Sequence, residues 1–116
     1  ESADVLETEI RDALEAGARF ILILGGSGFG VGNYAPEVVR SIVEVEIPGI
    51  AEQIRAHGLA NTPLSGLSRE VVGVTARDAS GALIISSPGS RGGALDTLEV
   101  VTPLLTAIFH QLDEQH

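Results

Sequence analysis

Ile21-Leu22-Ile23-Leu24-Gly25-Gly26-Ser27-Gly28-Phe29-Gly30-Val31-Gly32-Asn33-Tyr34-Ala35-Pro36-Glu37 reads as a buried strand, a glycine-rich loop and a helix start in direct succession. From Ala18 to Leu24 the side chains are nearly all apolar, the pattern of a strand covered on both faces. Pro36 suits a first helical turn, and Glu37, Val38, Val39, Ile42 and Val43 continue at helical spacing, which predicts a helix to about Glu46. Where an apolar strand ends, a loop without Cβ atoms lets backbone N–H groups close on an anion. That layout decides for an α/β fold and makes the loop a candidate phosphate site.

Working outward, Glu1 to Ala16 carries Val5, Leu6, Ile10, Ala13 and Leu14 at helical spacing. An α/β domain seldom opens on such a helix, so a preceding N-terminal portion is expected. Beyond Pro48-Gly49, Ile50 to His57 reads as a short helix stopped by Gly58, Asn61 to Gly66 as loop, and Leu67 to Val72 as a further helical turn. Val72 to Ala76 and Ala82 to Ser86 form a strand pair around the turn Asp78-Ala79-Ser80-Gly81, and a terminal helix is expected from about Ala94 to Leu112. Strands alternating with helices give one α/β domain over 1–116 with a central sheet covered on both faces.

Composition narrows the functions. The 116 residues carry a formal charge of −9, all seven cations are arginines, and lysine and cysteine are absent. An acidic chain with 3% aromatics lacks the basic face and stacking platforms that nucleic acids require. Without lysine there is no P-loop lysine and no Schiff base, and without cysteine no disulfide, thiolate site or thiol nucleophile. No consecutive apolar run reaches the ~18 residues of a membrane span, so the chain is expected to be soluble and cytoplasmic, with no membrane partner.

Gly25 to Asn33 and Pro88-Gly89-Ser90-Arg91-Gly92-Gly93 each follow a strand and open a helix. In open α/β sheets ligands bind at the carboxyl ends of strands, so both loops can face one crevice. Leu67-Ser68-Arg69 adds a hydroxyl and a forked guanidinium suited to phosphate or a planar carbonyl edge. Each feature also has a plainer reading: a turn for the glycines, a cap for Ser68, a surface position for Arg69. His57, His110 and His116 show no metal-ligand spacing. Gly25 to Gly30 lacks the ending of a Walker loop, and Gly30-x-Gly32-x-x-Ala35 lies too far beyond the strand for a dinucleotide fingerprint.

Gly25-Gly26-Ser27-Gly28, Pro36-Glu37, Glu46-Ile47-Pro48-Gly49, Leu67-Ser68-Arg69 and Pro88-Gly89-Ser90 occur in that order. The series resembles the molybdopterin-binding domain of the MogA/MoaB type, with its Thr-Gly-Gly-Thr-Gly, Thr-Pro-Glu, Glu-x-Pro-Gly, Leu-Ser-Arg and Pro-Gly-Ser-Pro motifs. The resemblance implies a three-layer α/β/α sandwich with a mostly parallel sheet, whose first strand and helix would precede this chain. It further implies a homotrimer in molybdenum cofactor biosynthesis that binds molybdopterin and adenylates it with Mg-ATP, releasing pyrophosphate. On that kinship Gly25, Gly26, Ser27 and Gly28 hold phosphate, Ser68, Arg69, Pro88, Gly89 and Ser90 hold the pterin, and Asp4 and Asn33 stand at the Mg2+ and catalytic positions.

One departure divides the reading. Where catalytic relatives end the loop Arg-Asp-x-Thr-Pro, this chain has Gly32-Asn33-Tyr34-Ala35-Pro36. Asn33 offers a carbonyl oxygen to a cation but no charge and no base. Asp4 also suits the first turn of a helix through the dipole alone. The alternative is therefore a non-catalytic pterin-binding module of the same fold.

Overall fold

The structure, a computed structural model, describes residues 2–114; Glu1 and His116, named above, lie outside them. Helix α1 (Ala3–Glu15) begins where the Ser2 hydroxyl accepts from the Val5 N–H at 3.2 Å, and Gly17 at φ 98° turns the chain into β1 (Phe20–Leu24). Then come α2 (Ala35–Ile42), β2 (Val45–Glu46), α3 (Pro48–Leu59), a 3-10 turn (Pro63–Leu67), β3 (Val72–Val74) and β4 (Leu83–Ser87). The chain finishes with α4 (Arg91–Val101), a second 3-10 turn (Thr102–Leu104) and α5 (Leu105–Asp113).

Four strands form one sheet in the order β1-β4-β3-β2. Strand alternation sorts the core into two clusters. Ile84 with Ile21 and Ile23 packs against Ile10 of α1 and Val38 and Val39 of α2. On the other face Leu83 and Ile85 with Phe20 and Leu22 meet Ile50 and Ile54 of α3, Val101 of α4 and Leu112 of α5. The three-layer α/β/α sandwich is thus present. β4 is buried at every position because it lies between two neighbours in the sheet and two helical layers.

Several local expectations are corrected. β1 pairs parallel with β4, but β4–β3 and β3–β2 are antiparallel, so the described sheet is mixed rather than mostly parallel. The short turn between β3 and β4 makes a hairpin, because a parallel pair would need a crossover of a dozen residues or more. The helix expected to reach Glu46 stops at Ile42, and Val45 and Glu46 pair with Val74 and Gly73. Gly73 permits this approach: a Cβ there would lie 2.8 Å from the Val45 carbonyl and 2.9 Å from Val43 Cβ.

Residues 61–66, expected as loop, contain a 3-10 turn started by Pro63 with Thr62 Oγ1 accepting from the Leu64 N–H. The helical turn expected at Leu67 to Val72 is instead extended, drawn out by Arg69 N–H to Ser27 O at 2.8 Å and Val71 N–H to Ser86 Oγ at 2.8 Å. The terminal helix starts at Arg91 and is interrupted at Pro103, whose missing N–H breaks the ladder. Although no run is continuously apolar, an 18-residue window within 91–113 reaches a mean hydropathy of 1.3, enough by length and composition alone to cross a membrane. Thr97, Val101 and Leu112 of that stretch are buried in the domain.

Candidate functional site

β1 and β4 end in register, Leu24 opposite Ser87, and the Gly25 N–H extends the ladder to the Ser87 carbonyl at 2.9 Å. The loops that follow therefore leave the sheet side by side. Gly25 and Gly26 take φ of 101° and 71°, conformations that glycine reaches without strain. Gly89 comes so close that a Cβ on it would sit 3.0 Å from Gly25 Cα. The two loops abut backbone to backbone.

Arg69 locks this arrangement from the neighbouring segment. Its Nε donates to Gly28 O at 2.7 Å, Nη2 to Asn33 O at 2.6 Å, and Nη1 to Glu37 Oε2 at 2.5 Å. The same guanidinium holds the Glu37 carboxyl below the ordinary carboxylate range. Arg69 thus spends its donors on both ends of the glycine loop and on the start of α2. The sequence marked Arg69 as a ligand contact; in the structure its donors clamp the glycine loop to α2, and it does not line the cleft.

A cleft of about 450 Å³ opens beside these loops. Gly26, Ser27, Gly28, Asn33, Ser68, Pro88, Gly89 and Ser90 all line it, so most of the candidates chosen from sequence converge on one place. Ser27 is buried, and the N–H groups of Gly26, Ser27 and Gly28 donate to no other backbone group among the described residues. Ser68 Oγ accepts from Glu70 N–H at 3.1 Å, and Ser90 Oγ accepts from Gly93 N–H at 3.1 Å as the N-cap of α4. Both hydroxyls shape the backbone that walls the cleft, Ser90 as a helix cap and Ser68, against the plainer reading, within an extended segment that opens no helix. Asn33 lays its amide over Gly28 and Gly30, where a Cβ on Gly30 would meet Nδ2 at 2.7 Å.

Asp4 is not part of this wall. It is exposed in the first turn of α1, on the opposite layer of the sandwich, and lines neither the cleft nor the hollow of about 650 Å³ between α1 and β1. For Mg2+, which takes near-octahedral oxygen ligands including one or two carboxylates, Asp4 and Asn33 do not make a fitting pair. One is outside the cleft, and the other is a neutral amide.

Two features escaped the sequence. Glu70 lines the cleft at 3% exposure; its Oε2 accepts from Thr97 Oγ1 at 2.8 Å, while Oε1 is buried without a partner. Burial pushes its carboxyl up to about 7, against the opposing pull of the Thr97 hydroxyl and of Arg55. His57 of α3 also meets α4, with Nε2 3.1 Å from Glu99 Oε2 and 3.6 Å from Asp96 Oδ1. No spacing within the sequence signals that group, because its members come from two helices. Glu70 adjoins Leu-Ser-Arg, but only the fold buries it.

This is an α/β sandwich whose paired strand ends carry a glycine loop and a capped helix N-terminus into one cleft, the class that binds anionic ligands through backbone donors. Residues 2–107 match the family described as "Probable molybdopterin binding domain", and the chain belongs to that family of molybdenum cofactor biosynthesis proteins. It is 32% identical over 98 residues to the molybdopterin adenylyltransferase of Haemophilus influenzae, covering 84% of this chain and 48% of that one. It thus spans about half the length of that curated relative. The molybdopterin biosynthesis Mog protein of Mycobacterium ulcerans superposes with a TM-score of 0.85 at 34% identity, over 94% of this chain and 69% of its own. The molybdopterin biosynthesis enzyme MoaB of Thermus thermophilus does so at 0.83 and 35%, over 96% and 68%.

Proposed function

We propose that this domain binds molybdopterin in the cleft between the glycine loop, the 68–70 segment and the start of α4, and that it serves adenylation of that pterin by Mg-ATP. The observation that carries the reading is the convergence of Gly26 to Gly28, Ser68 and Pro88 to Ser90 on one cavity, with loop amides uncommitted to the protein backbone. Phosphoryl and nucleotidyl transfer ask mainly for positioning and charge neutralisation, which backbone donors at a helix N-terminus and a glycine loop supply. The relatives named as molybdopterin adenylyltransferases support the same activity here. A homotrimer and a cytoplasmic location belong to this proposal. Leu59, exposed and outside the cleft, offers an apolar contact for a neighbouring copy, and a monomer by light scattering would remove the trimer.

A second reading is binding without adenylation. It is favoured by Asn33, whose position lacks a charge, and by Asp4 lying outside the cleft. Pyrophosphate release from Mg-ATP plus molybdopterin separates the two. Turnover by the native protein supports the enzyme; no turnover, with gain in Asn33→Asp, supports the binding module. Calorimetry showing no heat with molybdopterin would remove both.

A further inference from the structure

We infer that Glu70 reads the amino edge of the ligand's heterocycle, accepting an N–H from a 2-amino-4-oxo ring through its unpartnered Oε1. The inference deepens, and rests on, the reading that this cleft binds a pterin.

The wall of the cleft carries more than one chemistry. The backbone donors of Gly26 to Gly28 and the first turn of α4 suit an anion. Glu70 stands close by, since Thr97 Oγ1, which donates to its Oε2, lies 3.1 Å from Gly93 O, and its carboxyl attracts a donor rather than a second anion. Ile54, Leu64 and Leu67 give the same cleft an apolar side along which a ring can lie.

Glu70 is built into place rather than left loose. Its own N–H is held by Ser68 Oγ, and its carbonyl accepts from Arg55 Nη1 at 3.3 Å. Oε2 accepts from Thr97 Oγ1, which lies 3.1 Å from Ser87 Oγ, so the carboxylate is tied to α4 and to the end of β4. Within this satisfied network Oε1 alone lacks a partner, and it is the only such carboxylate oxygen among the described residues. Leaving a buried acceptor empty costs free energy that an incoming N–H donor recovers. A divalent cation is a poorer occupant, since one oxygen falls well short of the six or more it takes. Arg69 does not line the cleft and is already engaged by Gly28, Asn33 and Glu37, so ring recognition falls to Glu70. A site built to pair a donor also rejects the analogue that lacks it.

The test compares pterin with lumazine, in which a carbonyl oxygen replaces the 2-amino group, by fluorescence titration of the full chain at pH 7.5. The native protein is expected to bind pterin about tenfold or more tightly than lumazine. In Glu70→Gln that preference should fall below about threefold, with the circular dichroism spectrum unchanged. Equal affinity of the native protein for both rings overturns the inference without any variant being needed. A preference that persists in Glu70→Gln also overturns it. Molybdopterin bound without a pterin–lumazine preference leaves the proposed function standing and removes only the role of Glu70. Failure of the native protein to bind molybdopterin at all removes both.

Discussion

Replacing Glu70 by Gln should change how stability depends on pH. In the folded chain burial lifts this carboxyl from 4.5 to about 7, with Asp96 adding to the lift and Arg55 and the Thr97 hydroxyl opposing it. The folded state therefore holds a proton between those values that the unfolded chain has released. Native stability is spared this penalty below about pH 4.5 and loses ground as pH rises through 7. A displacement of that size amounts to about 3 kcal/mol once the group is fully ionised, of which about 1 is already present at pH 5. Gln cannot ionise, and its carbonyl can still accept from Thr97, so its own packing and amide costs do not vary with pH. Urea unfolding of both proteins at pH 5 and 8 should show the stability of Glu70→Gln rising relative to the native chain by roughly 2 kcal/mol. All other titrating groups are shared and cancel in the difference. Curves that stay parallel within about 0.5 kcal/mol would refute the claim that a buried, uncompensated carboxyl sits in this cleft.

Further outcomes follow from the same geometry. Gly89→Ala should lower stability by about 1–3 kcal/mol in thermal unfolding, because its Cβ would press on the Gly25 backbone, which has no side chain to swing away. Arg69→Lys keeps the charge but not the fork that holds Gly28, Asn33 and Glu37. Proteolysis within 25–34 should accelerate, and molybdopterin affinity should drop by about tenfold or more while far-UV circular dichroism is retained. Leu83→Ala, at a fully buried site on the α3 side of the sheet, should cost about 2–5 kcal/mol in urea unfolding without altering the pterin–lumazine preference.

Much of the architecture was legible because its signals are local. The β1 run, the turn at Asp78 to Gly81 and the two glycine loops each announce themselves within a few residues, and parallel pairing of β1 with β4 brings those loops together. What stayed hidden depends on partners distant in sequence. Val45 and Glu46 form a strand because Gly73 leaves room, which helical spacing across Val38 to Val43 cannot reveal. Arg69 was visible as a forked cation, but its acceptors lie 32 to 41 positions away, so its role as a clamp emerges only from the fold. Glu70 carries no sequence pattern of its own after Leu-Ser-Arg, and only Thr97 and the cleft wall, brought in by the fold, enclose it. Asp4, placed by motif order alone, stands in a different layer from the cleft.

The contact between Gly25 and Gly89 divides the cleft into a side that cannot be redesigned and a side that can. Two backbones pressed together leave no side chain to trim or enlarge, so ligand size cannot be retuned there without separating β1 from β4. The opposite bank, from Asn61 to Leu67, carries the short 3-10 turn Pro63–Leu67 with exposed leucines and no strand pairing to disrupt. A library aimed at altered ligand size belongs on that bank, where sequence can drift while the paired glycine loops keep their spacing.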